Sequence, residues 1–298
     1  MAHDVIVVGG SFAGLSAAMQ LARARRRVLV IDAGRPRNRF SNAAHGFLGQ
    51  DGNAPHAIMA EGARQLAAYP TVSFIQGEAV SARQVEGGFA VTLEDGREEG
   101  AAKLILAIGI ADELAPLPGL MERWGQSVLH CPYCHGYEVG GRELGVLANH
   151  PMAPHQALMI PDWGPTTLFT QGVFEPNDEE TAHLLARGVT IERTPIVALL
   201  GDAPALEGVR LADGRTLTLS AMFTQPKTRM ASPLAHQLGC AFDEGPVGPV
   251  IRVDEIKRTS VPGVYAAGDA ASGMHNGTLA SAAGVMAAIG AHRSLMGM

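Results

Sequence analysis

Two short runs near the start of the chain are apolar at every position. Residues 5–8 (Val-Ile-Val-Val) and 28–31 (Val-Leu-Val-Ile) are rich in β-branched side chains, which is typical of strands buried on both faces of a parallel sheet. Between these runs Leu15, Ala18, Met19 and Ala22 recur at helical spacing. The pattern predicts a strand, a helix and a second strand, the beginning of a βαβ unit.

The turn between the first strand and the helix is glycine-rich, and the second strand ends in an acidic residue. Residues 9–14 read Gly-Gly-Ser-Phe-Ala-Gly, so serine takes the middle glycine position of G-x-G-x-x-G. Glycines there let the backbone approach a pyrophosphate, and the acidic residue can accept hydrogen bonds from a ribose. The candidate cofactor-binding residues are Gly9, Ser11, Phe12, Ala13, Gly14, Asp32, Ala33 and Gly34.

The middle of the chain repeats this order of elements. Predicted strands at 144–147 and 166–170 flank a short predicted helix at 154–160, and Asp-Gly turns at 95–96 and 213–214 each precede a last strand. The predicted fold is α/β, with two Rossmann-like nucleotide-binding domains of three ββα layers. The outer domain is predicted at 1–110 and 245–298, and the inserted domain at 111–244.

The second nucleotide loop is degenerate. Residues 148–153 read Ala-Asn-His-Pro-Met-Ala where glycines are expected, and the next strand ends in Thr-Gln-Gly without an acidic residue or an arginine pair. Side chains at the glycine positions would stand between the backbone and a pyrophosphate, and a 2′-phosphate would meet no arginine. Binding of NADPH in the usual way is therefore doubtful.

The C-terminal part contains a further polar junction. Residues 259–269 are predicted as a strand that ends at Gly268 and Asp269, and an alanine-rich helix follows at 278–295. A carboxylate at such a junction can accept hydrogen bonds from a polyol, here the ribityl chain of a flavin.

Two of the three cysteines, Cys131 and Cys134, are separated by two residues and flanked by His130 and His135. Thiols at this spacing can close a disulfide, and an imidazole can carry the proton that is exchanged. Covalent haem attachment, half of a zinc site, and two inert buried cysteines are alternatives, although a second ligand pair for zinc is missing. The third cysteine, Cys240, stands in an apolar setting and is predicted to be structural.

Composition narrows the class of protein. The 298 residues are 47% hydrophobic and 17% charged, which is typical of a globular protein. A net charge of −6 disfavours nucleic acids and anionic membranes as partners. Three cysteines are too few for a secreted disulfide framework, and the N-terminus shows no signal segment, so we expect a cytoplasmic protein. No metal site is predicted.

Taken together, these motifs resemble the low-molecular-weight thioredoxin reductases, flavoproteins of the pyridine nucleotide-disulphide oxidoreductase class. The resemblance covers the glycine turn with Asp32, the strand ending at Gly109, the cysteine pair, and the T-x5-Y-A-x-G-D motif at 259–269. It implies FAD, a homodimer and a second domain inserted into the FAD domain. It also implies that Cys134 faces the flavin, that Cys131 exchanges with substrate, and that Gly109, Gly268, Asp269 and Asn276 contact the cofactor.

Two departures from that family favour a more specific function. His135 replaces an acidic residue, and the run C-P-Y-C-H-G-Y-E is similar to dithiol oxidases of natural-product biosynthesis. We therefore expect an FAD-dependent oxidase of small-molecule dithiols, in which His135 moves the proton. One alternative is a reductase of a thioredoxin-like protein that takes electrons from NADPH or another donor such as reduced ferredoxin. Another is a flavin-bearing sensor without turnover.

Overall fold

A computed structural model describes residues 2–298, which divide into two units. The first comprises residues 2–39, 54–111 and 228–298, and the second comprises 40–53 and 112–227. The chain thus passes from the second unit back to the first between residues 227 and 228, earlier than the predicted boundary at 244/245. The reason is packing, since Leu234, Ala235 and Cys240 lie in the same buried cluster as Phe89 and Val91 of the first unit.

Residues 2–298 form nineteen strands and seven α-helices. In chain order, the strands are β1 (His3–Val8), β2 (Val28–Asp32), β3 (Val72–Gln76), β4 (Ala79–Val85), β5 (Gly88–Leu93), β6 (Glu98–Leu106), β7 (Ile110–Glu113), β8 (Val128–Leu129), β9 (Leu144–Leu147), β10 (Thr166–Phe169), β11 (Thr190–Glu192), β12 (Ile196–Leu200), β13 (Gly208–Leu211), β14 (Thr216–Thr218), β15 (Ala221–Thr224), β16 (Lys227–Met230), β17 (Phe242–Glu244), β18 (Pro249–Ile251) and β19 (Val264–Ala266). The helices are α1 (Phe12–Arg23), α2 (Pro55–Leu66), α3 (Pro132–His135), α4 (Ala153–Met159), α5 (Asp178–Ala186), α6 (Leu234–Gln237) and α7 (Gly277–Leu295).

The first unit is built on a seven-stranded sheet in the order β3-β2-β1-β6-β5-β4, with β19 also paired to β6. Strands β1, β2, β3, β6 and β19 run parallel, whereas β4 and β5 extend the edge as antiparallel strands. Strand β6 joins the antiparallel and parallel parts of the sheet, because its first half pairs with β5 and its second half pairs with β19. Strand β4 was not predicted, since polar residues such as Ser81 and Arg83 interrupt its apolar positions.

The core of the first unit lies on both faces of this sheet. Ile6 and Val8 of β1 pack with Val91 of β5 on one face, whereas Val5 and Val7 face helices α1, α2 and α7 on the other. Side chains alternate between faces along a strand, so a strand covered on both sides must be apolar at every position. This explains the uninterrupted apolar runs of the sequence.

Helices α1 and α7 approach each other through small residues. A Cβ atom on Gly284 would lie 2.0 Å from the carbonyl oxygen of Ala13, so the two backbones touch directly. Further along α7, the Tyr265 hydroxyl donates a hydrogen bond of 3.0 Å to the carbonyl of Gly290. Gly284 therefore packs α7 against the start of α1, and Gly290 packs it against Tyr265 of β19.

The second unit repeats the architecture on a smaller scale. Its parallel sheet has the order β11-β10-β9-β15-β8, and β12, β13 and β14 form a separate antiparallel sheet. Helix α5 begins with a capping box, which the run Asn-Asp-Glu-Glu at 177–180 predicts. Asn177 and Glu180 each accept a hydrogen bond from the other's backbone N–H. Two short sheets complete the list of strand pairs. Strand β7 pairs with β16, and β17 pairs with β18 in the first unit.

The two parallel sheets confirm the predicted α/β class with two Rossmann-like units. The predicted strand at 259–269 is shorter, since a turn closed by a hydrogen bond from Val264 N–H to the carbonyl of Val261 delays its start. Within residues 2–298, none of the helices has the length and apolar character required to cross a membrane.

The contact between α1 and α7 yields a stability prediction. Gly284→Ala should lower the free energy of unfolding by about 1–3 kcal/mol, because overpacking against a backbone oxygen outweighs the better helix propensity of alanine. Gly62→Ala in α2 is the matched control, since its Cβ would lie 3.3 Å from the mobile end of Leu15. Urea unfolding of both variants checks the prediction, and equal stabilities would contradict it.

Candidate functional site

The glycine turn of the first unit is shaped by close backbone contacts. Gly9 has φ +109°, and a Cβ there would lie 2.2 Å from the carbonyl oxygen of Ala107. A Cβ on Gly14 would lie 1.8 Å from the carbonyl oxygen of Gly9. The chain therefore makes a tight turn directly into helix α1, which only glycine permits at these two positions.

Asp32 is held beside this turn at the end of β2. The backbone N–H of Gly10 donates a hydrogen bond of 3.0 Å to Asp32 Oδ1. Ser11 is the N-cap residue of α1, but its side chain does not cap the helix. The first amides of a helix have no acceptors within the helix, and the helix dipole favours an anion there. The turn can thus hold a phosphate.

Gly268 and Asp269 lie against the same turn. Gly268 has φ +75°, and a Cβ there would lie 3.0 Å from the Cβ of Ala13. Asp269 pairs with Arg37, whose Nη1 is 3.3 Å from Asp269 Oδ2, and both side chains are largely buried. The two motifs, which are far apart in the sequence, are therefore adjacent in the fold.

Other predicted residues occupy varied positions. Ala33 and Gly34 are exposed after β2, and Gly109 has φ +64° with open space where a Cβ would stand. Asn276 caps helix α7, because its Oδ1 accepts hydrogen bonds of 2.8 and 3.3 Å from the N–H groups of Thr278 and Leu279. Its side-chain oxygen is therefore already engaged by the protein.

The first unit fits a flavin dinucleotide. A glycine turn, an acidic residue at the second strand end and a buried carboxylate come together there. In addition, Asn38 Oδ1 is buried without a hydrogen-bond partner, next in sequence to Arg37. A buried acceptor of this kind is costly unless a bound molecule donates to it. Sequence analysis missed Asn38 and Arg37 because they stand in a polar loop without periodicity.

The second unit contains the two cysteines in a disulfide. Cys131 and Cys134 are bonded across the one-turn helix α3, and both residues are half-buried. A Cβ on Gly136, the residue after α3, would lie 2.8 Å from the ring of Trp163. Gln156 of α4 donates a hydrogen bond of 2.8 Å to the carbonyl of His130. The cysteine pair is therefore bonded and only partly buried, and its surroundings fix it on both sides.

His135 lies beside Cys134 in a partly desolvated position. Burial lowers the pKa of His135, Glu138 opposes this effect, and His45 adds to it. The Nε2 atom of His45 is 3.5 Å from Glu138 Oε1. A neutral imidazole next to a disulfide can accept the proton of an attacking thiol.

Two aromatic side chains flank the disulfide at the surface. Tyr133 is 76% exposed and Tyr137 is 89% exposed. The ring of Tyr133 meets that of Trp163 edge to face, with centroids 5.7 Å apart. A substrate that reaches the sulfur atoms thus meets apolar ring surface on the second unit.

The degenerate loop leaves few amides for a phosphate. Pro151 and Pro154 have no N–H, the N–H of Met152 donates to His150 Nδ1 at 3.3 Å, and the N–H of Ala153 donates to the His150 carbonyl. Burial and the nearby Lys227 lower the pKa of His150, so its imidazole adds no positive charge at neutral pH. Every residue from 151 to 154 thus lacks an N–H or has it bonded.

The end of β10 carries charges that sequence analysis missed. Glu175 accepts hydrogen bonds from the Thr170 hydroxyl at 2.6 Å and from Arg193 Nε at 2.9 Å. Arg193 comes from the end of β11, so no sequence spacing could place it here. Its pairing with Glu175 makes it less available to a 2′-phosphate.

Within residues 2–298, no three His, Cys, Asp or Glu side chains are grouped in a way that could hold a metal ion. Cys240 is buried, and burial raises the pKa of its thiol, although a contact with the Thr259 hydroxyl opposes this.

Known proteins show the same organisation. The family model for pyridine nucleotide-disulphide oxidoreductases matches residues 3–147 and 175–291. The chain is 32% identical to thioredoxin reductase tcpT of Claviceps purpurea, over 89% of this chain and 86% of that protein. It is 31% identical to thioredoxin reductase sirT of Leptosphaeria maculans, over 99% and 94% of the two chains. The crystal structure of an oxidoreductase from Agrobacterium tumefaciens is 50% identical and covers 99% of each chain, with a TM-score of 0.95.

The different settings of the three cysteines yield a thiol-titration prediction. After reduction, Cys131 and Cys134 should react rapidly with an aromatic disulfide reagent, whereas Cys240 should react only after denaturation, because thiolate and access are both required. Thiol counting before and after addition of guanidinium checks this. Rapid reaction of all three thiols in the folded protein would contradict it.

Proposed function

Because the chain belongs to the pyridine nucleotide-disulphide oxidoreductase family, we propose that it is an FAD-dependent dithiol oxidase that cycles the Cys131–Cys134 disulfide. Family membership implies the flavin cofactor. The proposed substrate is a small molecule that carries two thiols, which the enzyme joins as a disulfide. A homodimer is proposed on the family resemblance.

One observation carries this proposal, namely the contrast between the two nucleotide loops. The first retains its glycine turn with Asp32, whereas in the second the N–H groups of residues 151–154 are absent or bonded within the loop. The family match also stops at Leu147 and resumes at Glu175, so the interrupted part is the segment that would hold a nicotinamide dinucleotide. The reduced substrate itself is then the electron donor.

The cysteine pair takes two electrons from a dithiol in two exchanges. A substrate thiolate attacks Cys131 Sγ, the bond to Cys134 Sγ breaks, and Cys134 leaves as a thiolate. The second substrate thiol attacks the first substrate sulfur, the bond to Cys131 breaks, and the substrate leaves as a disulfide. His135 accepts a proton from the attacking thiol, because its lowered pKa keeps it neutral at pH 7.

When bound, FAD would supply a two-electron acceptor for the reduced cysteines, and dioxygen would be the final acceptor, taking two electrons and two protons to give hydrogen peroxide. In the first unit, the glycine turn, Asp32 and Asp269 would hold it. Arg37 keeps the Asp269 carboxylate oriented through their ion pair.

A second candidate is a thioredoxin reductase, favoured by the names of the relatives tcpT and sirT. In that function a nicotinamide donor or another reductant would reduce the flavin, and a thioredoxin-like protein would receive the electrons at Cys131. The loop at 148–153 argues against the nicotinamide donor but not against the protein partner.

Anaerobic reduction of the purified flavoprotein distinguishes the two functions. We expect dithiothreitol to bleach the visible flavin band at least about 10-fold faster than NADPH at equal concentration, a barrier difference of about 1.4 kcal/mol. In air, the dithiol should be consumed with formation of hydrogen peroxide.

Two variants serve as controls for this experiment. Cys134→Ser should abolish bleaching by the dithiol, whereas Cys240→Ala should retain it. Rapid bleaching by NADPH together with slow bleaching by dithiols would overturn the oxidase proposal and favour the reductase.

A further inference from the structure

A segment far from the cysteines in sequence belongs to the same unit. Residues 40–53 pack with the second unit, where Phe40 lies against Gly125 and Asn42 donates a hydrogen bond of 3.2 Å to Gln126. Backbone hydrogen bonds of 2.8 Å join the N–H of Ala44 to the carbonyl of Asn53, and the N–H of Gly52 to the carbonyl of Ala44. The segment is thus a closed loop with a defined conformation.

This loop presents His45 to Glu138, which lies three residues after the cysteine helix α3. Asp51 holds the loop by accepting a hydrogen bond of 2.8 Å from the N–H of Gly46, and its Oδ1 is 3.7 Å from His45 Nδ1. On the other side of the ring, His45 Nε2 is 3.5 Å from Glu138 Oε1. The imidazole is therefore held between two carboxylates, and only 23% of its side chain is exposed.

The Glu138 carboxylate also interacts electrostatically with His135, three residues earlier in the chain. We propose that Glu138 and His45, whose side chains lie 3.5 Å apart, are positioning residues for the base His135 when the Cys131–Cys134 disulfide opens. This inference rests on the thiol/disulfide exchange of the proposed function, but it does not depend on the final electron acceptor.

The charges have opposite effects on His135. The Glu138 carboxylate stabilises an imidazolium at His135, whereas a protonated His45 repels it and also engages Glu138. Asp51 faces His45 from within the loop, with its Oδ1 3.7 Å from His45 Nδ1. Two carboxylates and two imidazoles thus act together on one proton, which leaves the substrate thiol as the disulfide opens.

The pH dependence of disulfide opening tests this proposal. Anaerobic protein is mixed with dithiothreitol between about pH 5 and 8, where imidazoles titrate. Free cysteines are trapped by rapid alkylation and counted by mass spectrometry, so the readout needs neither flavin reduction nor oxygen. Part of the rate rises because dithiothreitol loses its thiol proton as pH increases, and this part is measured with His135→Gln protein and subtracted. Neutral His135 is the active form, so the remaining rate should rise as pH increases through the pKa of His135 and then level off.

The two positioning residues should shift this rise in opposite directions. His45→Gln removes a repelling charge and frees Glu138, so the pKa of His135 increases and the rise moves to higher pH. Glu138→Gln removes the stabilising carboxylate, so the rise moves to lower pH. His135→Gln should keep only the rise that comes from the thiolate of dithiothreitol, and it should slow the reaction by about 10²-fold, the usual contribution of a general base.

Matched controls come from the same unit. His183→Gln and Glu143→Gln alter exposed side chains elsewhere on the second unit and should leave the profile unchanged. Glu138 is well exposed, so Glu138→Gln tests the cluster even if His45→Gln fails to fold. Profiles of both variants that coincide with that of the unaltered protein, or that shift in the same direction, would overturn the proposal.

Oxygen consumption, measured separately, keeps the two proposals distinct. Opposite shifts without oxygen uptake would support the role of His45 and Glu138 and refute the oxidase. Oxygen uptake with unshifted profiles would do the reverse.

Discussion

Contacts between backbone atoms that only glycine allows determine the geometry of the first unit. Gly14 touches the carbonyl of Gly9, and Gly284 of α7 touches the carbonyl of Ala13 at the start of α1. The sheet, helix α1 and helix α7 are thereby brought together at the residues proposed to hold the cofactor. Helix packing and the proposed phosphate site use the same few atoms, so one cannot change without the other.

The second unit lacks the glycine turn, and it shows which parts of the architecture persist without it. It keeps the parallel sheet and the antiparallel three-stranded sheet, but prolines and a histidine occupy the turn after β9. The fold tolerates this because strand pairing and apolar burial, rather than the phosphate loop, stabilise the unit. The proposed site of chemistry in this unit is instead the disulfide across α3. One architecture thus serves two purposes in the same chain.

Sequence analysis could predict elements whose signal is local. The apolar runs of β1 and β2, the glycine turn and the capping box of α5 all lie within a few neighbouring residues, and the structure has each of them. Contacts between distant segments were missed. Arg193 reaches Glu175 from another strand, and His45 reaches Glu138 from a loop without periodicity. The boundary at 227/228 was also missed, because short strands such as β17 and β18 carry no signal of the core they join.

The second unit is built from two separate stretches of the sequence, and this limits how its segments can be exchanged with those of a homologue. Residues 112–227 contain both cysteines and His135, yet the loop at 40–53 is encoded between two segments of the other unit. A chimaera in which only residues 112–227 come from a homologue would contain the homologue's cysteines but would keep His45 of this chain. To exchange the complete second unit with a homologue, both residues 40–53 and residues 112–227 must therefore be replaced.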